Sequence, residues 1–336
     1  MLNLATKSTL AASSVYASAE YGYAVAEEEG GTWKNIHDSS GEWQLPLVFR
    51  QISGTDFIDA ATPYGYAGLH IDERLSDDKI KQYWKETLSI LKRERVVSVF
   101  LRFPPFIPQQ SEQASKLEGL TVAKVARTVL VPTGADEIMW SRMTRTARNK
   151  VRVAKKAGCS VEIVEASPRV INEARSLYEQ TMHKVRATKN YYFGDDYYIN
   201  LAKLGAQLHI ARVLDSGGTC VAASFILSDH RFAHYHLSGS GGTVPGLVNL
   251  LLWRVFQWAA NNGMKAVHLG GGLTDGDSLF KFKSSFGGDV LDFALGKSVI
   301  QEDVYHFLVA KRARELQLSR EELASRSFFP AYRVPG

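Results

Sequence analysis

Cysteine is nearly absent. Cys159 and Cys220 are the only two in 336 residues. That excludes a disulfide-stapled scaffold and any zinc site built on several thiolates. Long apolar runs are missing too, and no stretch approaches the ~18 residues that span a bilayer. There is no low-complexity linker and no short-period repeat. Nor is there a strong excess of one charge: the formal net charge is +5, which permits a phosphate-rich partner without demanding one. Met1 to Ala26 holds one early lysine and an Ala-Ser-Ala that imitates a cleavage site. Its middle is too rich in Ser, Thr and Tyr for a secretory leader, so the cytoplasm is the expected compartment. What is present is a chain that is 45% hydrophobic and 22% charged, enough to bury sizeable cores. Its length suggests two domains at roughly 150 residues each.

The pattern splits near residue 157. In the first half Leu45 to Ile52, Val96 to Phe103 and Val122 to Val131 read as strands. Ser76-Asp77-Asp78 caps a helix on which Ile80, Tyr83, Trp84, Leu88 and Leu91 recur at helical spacing. The second half is more regular. A strand at Val161 to Val164 precedes a helix opened by Ser167-Pro168, and a short helix follows at about Asp196 to Leu204. Leu208 to Leu214, Cys220 to Leu227 and Phe232 to Leu237 form two hairpins. A helix from Gly246 to Asn261, a strand at Ala266 to Leu269, a helix at Ser278 to Phe286 and a strand at Val290 to Leu295 complete it. Asp303 to about Ser319 is predicted as a basic amphipathic helix. The second-half order β-α-α-β-β-β-α-β-α-β resembles that of the GNAT acyltransferase fold.

Four strings carry a more specific resemblance. They are Asp59 to Leu69 (Asp-Ala-Ala-Thr-Pro-Tyr-Gly-Tyr-Ala-Gly-Leu), the basic stretch Arg142 to Lys156, Tyr235 to Ser240 with Asn249 to Leu252, and Gly270-Gly271-Gly272 followed by Ser278 to Gly287. The last, with its Phe-Lys-x-x-Phe-Gly core, is the most distinctive. Together, over about residues 45 to 298, they resemble the FemABX-like peptidyl and aminoacyl transferases of the GNAT superfamily. The resemblance implies an α/β (α+β) chain of two tandem GNAT-like domains, each a mixed, mostly antiparallel sheet flanked by helices. The expected boundaries are 1–157 for an acceptor-side domain ending in a basic helix, 158–300 for a donor-side domain, and 301–336 for a helical tail.

Acyl transfer from an ester to an amine needs three things. The amine must lose a proton, the oxyanion must be stabilised, and the leaving oxygen must be neutralised. The family places a functional lysine in the Phe282-Lys283 pair, with Phe282 fixing its direction. The plainer reading is a solvated lysine beside core aromatics, since Phe282 and Phe286 share a helix face. Arg142 to Lys156 has seven Lys or Arg and no acid. As one helix it turns Arg142, Arg145, Arg148, Arg152, Lys155 and Lys156 outward, opposite Trp140, Met143, Ala147, Val151 and Ala154. Arg145, Arg148 and Arg152 are therefore candidates for phosphate contact, with a solvated charged face as the alternative. Tyr64 and Asp72 are carried over as acceptor-site candidates; the alternative is a tight turn with packed tyrosines. Tyr235 and His236 alternate on one strand, so only one can face a cleft, and Tyr235 is preferred. Tyr191, Tyr192, Phe193, Tyr197 and Tyr198 either stack a nucleobase or cover the core. His209, His230, His234, His236 and His268 show no metal-ligand spacing, and no metal is expected.

Gly239 to Gly246 is glycine-rich but lacks the Arg or Gln of an acyl-CoA pyrophosphate loop, and Pro245 removes a donor. That departure tilts the expectation away from acyl-CoA, and the family resemblance implies tRNA-dependent aminoacyl transfer to an amine of a peptide, amino-sugar or peptidoglycan-type acceptor. Aminoacyl-tRNA would be the co-substrate, with no separate cofactor. An acyl-CoA- or carrier-protein-dependent N-acyltransferase is the first alternative. A non-catalytic RNA- or precursor-binding protein is the second.

Overall fold

The computed structural model describes residues 1–6, 14–274, 276–326 and 328–336. Residues 7–13, part of the opening segment weighed above as a leader, lie outside them. The first half contains β1 (Asn3–Ala5), α1 (Ala19–Glu28), β2 (Gly31–His37), β3 (Trp43–Gln51), β4 (Ile58–Ala61), β5 (His70–Ile71), α2 (Asp77–Arg93), β6 (Val96–Arg102), α3 (Pro108–Ala114) and β7 (Thr121–Pro132). Then come α4 (Asp136–Arg142), α5 (Arg145–Lys156), β8 (Ser160–Glu165), α6 (Pro168–Lys184), α7 (Asp195–Leu201), β9 (Leu208–Leu214), β10 (Cys220–Ser228) and β11 (Phe232–Ser240). The chain ends with α8 (Leu247–Asn261), β12 (Ala266–Gly271), α9 (Ser278–Ser284), β13 (Asp289–Val299), α10 (Glu302–Glu315) and α11 (Arg320–Ser325).

Local chemistry explains the helix starts. Ser76 Oγ accepts from Lys79 N and Ser167 Oγ from Val170 N, each satisfying an orphan donor of a first turn. The predicted element order from β8 to β13 is the one observed.

The chain forms two compact units, Met1–Val125 with Phe293–Gly336, and Ala126–Asp292. The division at 125 replaces the expected one at 157, and the reason is strand pairing. In the second unit the sheet order is β7-β12-β11-β10-β9-β8, with Thr128 to Pro132 of β7 on β12. The greater part of β7, from Ala126, thus belongs to the second unit, and so do α4 and α5, including the basic helix expected to close the first domain. In the first unit the order is β1-β2-β3-β4-β6-β13, with β5 on β3. Leu295 to Val299 of β13 pair with β6. The tail, expected as a separate segment, packs Leu308, Val309, Ala313 and Tyr332 against Ile52 and Val97 of the first unit. α10 covers the helix expected from Asp303, and the short α11 follows it.

Within each unit the strand pairing is mixed and mostly antiparallel. Each has one parallel pair among those described, β4 with β6 and β11 with β12. β3 is buried from Trp43 to Phe49, a run that fits a strand covered on both faces. The second core gathers Ala147, Val151 and Ala154 of α5, Leu247 to Ala259 of α8, and Phe280 and Phe286.

Candidate active site

The parallel ladder of the second unit is short. β11 and β12 pair at Phe232–Ala266, Ala233–Val267 and His234–His268. Beyond that point β11 continues on β10 to Ser240 and β12 continues on β7 to Gly271. Where two strands part, edge backbone groups need other partners. Lys283 of α9 supplies one: its Nζ donates to Gly271 O at 2.7 Å and lies 6.0 Å from the centre of the Tyr235 ring. The lysine is only 8% exposed, so it is not the solvated side chain of the plainer reading. Burial pushes its pKa down to about 8, with Asp277 opposing the shift.

The aim of Lys283 is set by the turn before it. Asp277 caps α9. Its Oδ1 accepts from Phe280 N at 2.7 Å, and its Oδ2 accepts from Leu273 N and Thr274 N at 2.7 and 3.1 Å. Those bonds hold its carboxyl below the usual range, the one from Phe280 foremost. At the other end Ser285 O accepts from Thr144 N at 2.9 Å, tying α9 to the start of α5. Gly287 follows at φ +75°, where a Cβ would stand 2.2 Å from Arg142 O. Phe282 meets Phe286 edge-on at 5.3 Å. It anchors the helix by packing.

Tyr235 and His236 separate as the alternation predicts. Tyr235 faces Lys283, and burial raises its hydroxyl to about 12, which keeps it protonated. His236 Nε2 is 2.7 Å from Tyr197 Oη, and burial lowers it to about 3, so the ring is neutral. Tyr197, Tyr198 and Phe193 are buried, which makes these three core, whereas Tyr191 and Tyr192 are half-buried.

The basic stretch is two helices, not one. Met143 is extended and buried, and Thr144 Oγ1 accepts from Ala147 N to start α5. Arg148 does not face outward. Its Nη1 donates to the carbonyls of Trp140, Ser141 and Met143 at 3.3, 3.1 and 2.7 Å, closing the end of α4. Arg145 is exposed, and Arg152 stacks 5.3 Å over Trp140. The glycine loop before α8 is used internally. Gly241 N and Gly242 N both donate to Val221 O. Gly246 lies at φ +88° with room for no Cβ beside Lys150 O, 2.3 Å away.

Residues 141–283 match the family described as Acetyltransferase (GNAT) domain. FemX superposes with a TM-score of 0.69 at 13% identity, covering 85% of this chain and 92% of that one. The C-terminal domain (DUF2156) of a protein named as a lysylphosphatidylglycerol synthetase from Agrobacterium fabrum follows, at TM-score 0.56, 16% identity and coverage of 83% and 87%. L-PGS from Bacillus licheniformis gives 0.56 at 15%, covering 84% and 92%. The chain has the FemABX-like GNAT fold. No curated protein matches the sequence.

In this GNAT-fold chain the matched domain is that of an acyltransferase, as the strings implied. Lys283, Phe282 and Tyr235 come together, and α5 is joined to α9 through Thr144 and Ser285. Tyr64 and Asp72 lie in the first unit. Tyr64 is 39% exposed. Asp72 takes two bonds from the Arg74 guanidinium at 2.8 Å, and this pairing holds its carboxyl well below the carboxylate range. A carboxylate so held is a poor proton acceptor at neutral pH. Asp277 was missed in the sequence; the signal was an acid one residue before Ser278, in the N-cap place. Among the described residues no cluster of His, Cys, Asp and Glu could hold a metal, and no helix is long and apolar enough to cross a membrane.

Proposed function

We propose that the chain transfers an aminoacyl group from aminoacyl-tRNA to an amine of a peptide, amino-sugar or peptidoglycan-type acceptor. The observation that carries this is the ammonium of Lys283, buried where β11 and β12 part. The fold shared with FemX and with a protein named for lysylphosphatidylglycerol synthesis supports it.

The acceptor amine attacks the ester carbonyl. The C–N bond forms as the carbonyl electron pair moves to oxygen, and the ammonium stabilises the oxyanion. As that intermediate collapses, the C–O bond to the ribose breaks and the ribose oxygen takes a proton from Lys283. The proton lost by the amine restores the ammonium. A group near pKa 8 serves both transfers, because neither protonation state is far away at neutral pH. The Tyr235 ring, itself neutral, walls the ammonium from water and strengthens its field. The exposed cations of α5, Arg145 and Arg152 among them, offer a track for RNA phosphates.

The test supplies a labelled charged-tRNA pool and labelled acetyl-CoA in parallel, with mixed amine acceptors, with and without ribonuclease. Label reaching acceptor only from intact RNA, and lost in Lys283→Ala, supports the reading. Label from acetyl-CoA regardless of ribonuclease would sink it in favour of an acyl-CoA enzyme. RNA binding with no transfer from either donor would favour the binding-only alternative. The internal use of the Gly241 and Gly242 amides and the missing N–H of Pro245 argue against a pyrophosphate cradle there.

A further inference from the structure

The first unit has its own parting of strands. β4 and β6 pair at Ile58–Val96, Ala60–Val99 and Ala61–Phe100. Thr62 N still reaches Phe100 O at 2.9 Å. Beyond it Arg102 fills the gap. Its backbone N donates to Thr62 Oγ1 at 2.9 Å and its Nη1 to Thr62 O at 2.7 Å. Its guanidinium lies 4.9 Å over the Phe100 ring.

No carboxylate among the described residues forms an ion pair with this half-buried cation. Glu29, the one carboxylate that acts on it, is engaged by Arg50. Arg50 holds Glu29 at 2.9 Å and Asp59 at 3.0 Å, and Arg333 holds the second oxygen of Asp59. Burial pushes the Arg102 pKa down, and Arg50 adds to that; Glu29, Tyr64 and Tyr21 pull against it without cancelling it. A half-buried guanidinium with no ion-pair partner and a free donor edge is poised to take an anion. The Nε and Nη2 edge of its fork makes no bond to the described residues. On β13, two residues before the Leu295 that pairs with Arg102, the half-buried Phe293 ring meets Tyr66 at 5.3 Å.

We infer that Arg102 anchors a carboxylate-binding site in the first unit, where β4 and β6 part. The open edge is one planar pair of donors, which matches the two oxygens of a carboxylate. A carboxylate also brings a single charge, which is easier to desolvate than the double charge of a phosphate. The Phe100 ring under the guanidinium suits the apolar remainder of a small ligand. Binding at Arg102 does not rest on the transfer chemistry proposed above, though an acceptor bearing a carboxylate would satisfy both.

The test is calorimetric titration of the full chain with glycylglycine, with glycylglycine amide and with inorganic phosphate. Glycylglycine binds saturably and the amide about tenfold more weakly or worse, because the fork loses its charged partner. Arg102→Gln abolishes that discrimination. Arg102→Lys keeps only part of it, since an ammonium lacks the fork, and it preserves the test if the Gln variant fails to fold. Equal binding of acid and amide overturns the proposal. So does the absence of saturable binding of the acid, or discrimination that survives in Arg102→Gln. Phosphate binding tighter than the dipeptide overturns the carboxylate assignment in favour of a phosphate group. The titration reads no acyl transfer, so its failure leaves Lys283 untouched, and inactivity toward charged tRNA leaves Arg102 untouched.

Discussion

The two units use one device in different ways. In each, a short parallel ladder ends early and a cation enters beyond it. In the second unit the cation is a lysine delivered by the following helix. In the first it is an arginine from the strand itself. An ammonium on a flexible stem shifts its pKa readily and exchanges protons, whereas a guanidinium stays charged and grips planar anions. The residue type therefore suits one parting to chemistry and the other to holding.

Exchanging the cations tests that division most sharply. Lys283→Met lowers kcat on the order of 10²–10³-fold, the loss typical of one oxyanion donor, and shifts Tm by less than about 4 °C. Arg102→Gln does the opposite in kind, weakening glycylglycine binding about tenfold and abolishing the preference for acid over amide. Steady-state kinetics for the first variant and calorimetric titration for the second separate the two. If Lys283→Met keeps full kcat, or Arg102→Gln binds the dipeptide as the parent does, the comparison fails.

The pH profile is the next lever. Burial lowers Lys283 to about 8, so kcat declines as pH rises through that value and the ammonium is lost. The linkage has a defined sign. Between about 8 and the ordinary 10.5, the unfolded chain still binds a proton that the folded chain has released, so this residue adds stability as pH rises. Urea titrations across that window should show an increment that Lys283→Met lacks.

A smaller effect is expected at Asp277. Asp277→Ala should lower kcat about tenfold by loosening the aim of Lys283, while Asp277→Asn, still able to cap, should recover most of it. The smallest effects separate two arginines of α5. Arg148→Ala should lower Tm without changing RNA affinity, because it bonds three carbonyls. Arg145→Ala should leave Tm alone and reduce the salt slope of RNA binding by about 1. Filter binding at several salt concentrations distinguishes them.

Much of the second unit was legible because its signals are local. Ser167-Pro168 opens a helix, two short turns make hairpins, and strand alternation sends Tyr235 and His236 to opposite sides. Lys283 was singled out by its string, but its burial was not readable, since that depends on the carbonyl of Gly271 across a loop. The outward face drawn for Arg148 failed because angular spacing assumes an unbroken helix, and Thr144 starts a new one. The domain boundary failed for a longer-range reason. The partners of β7 and β13 lie far away in sequence, and periodicity carries no information about which strand a strand will meet.

That pairing has a consequence for how the chain is made. Synthesis proceeds from the N-terminus, and domains commonly fold as they emerge. The second unit is one continuous stretch, whereas the first awaits Leu295 to Val299 to cover the edge of β6. On the ribosome, β6 therefore waits with an open edge while the whole of the second unit is translated. The unit that is made first is finished last.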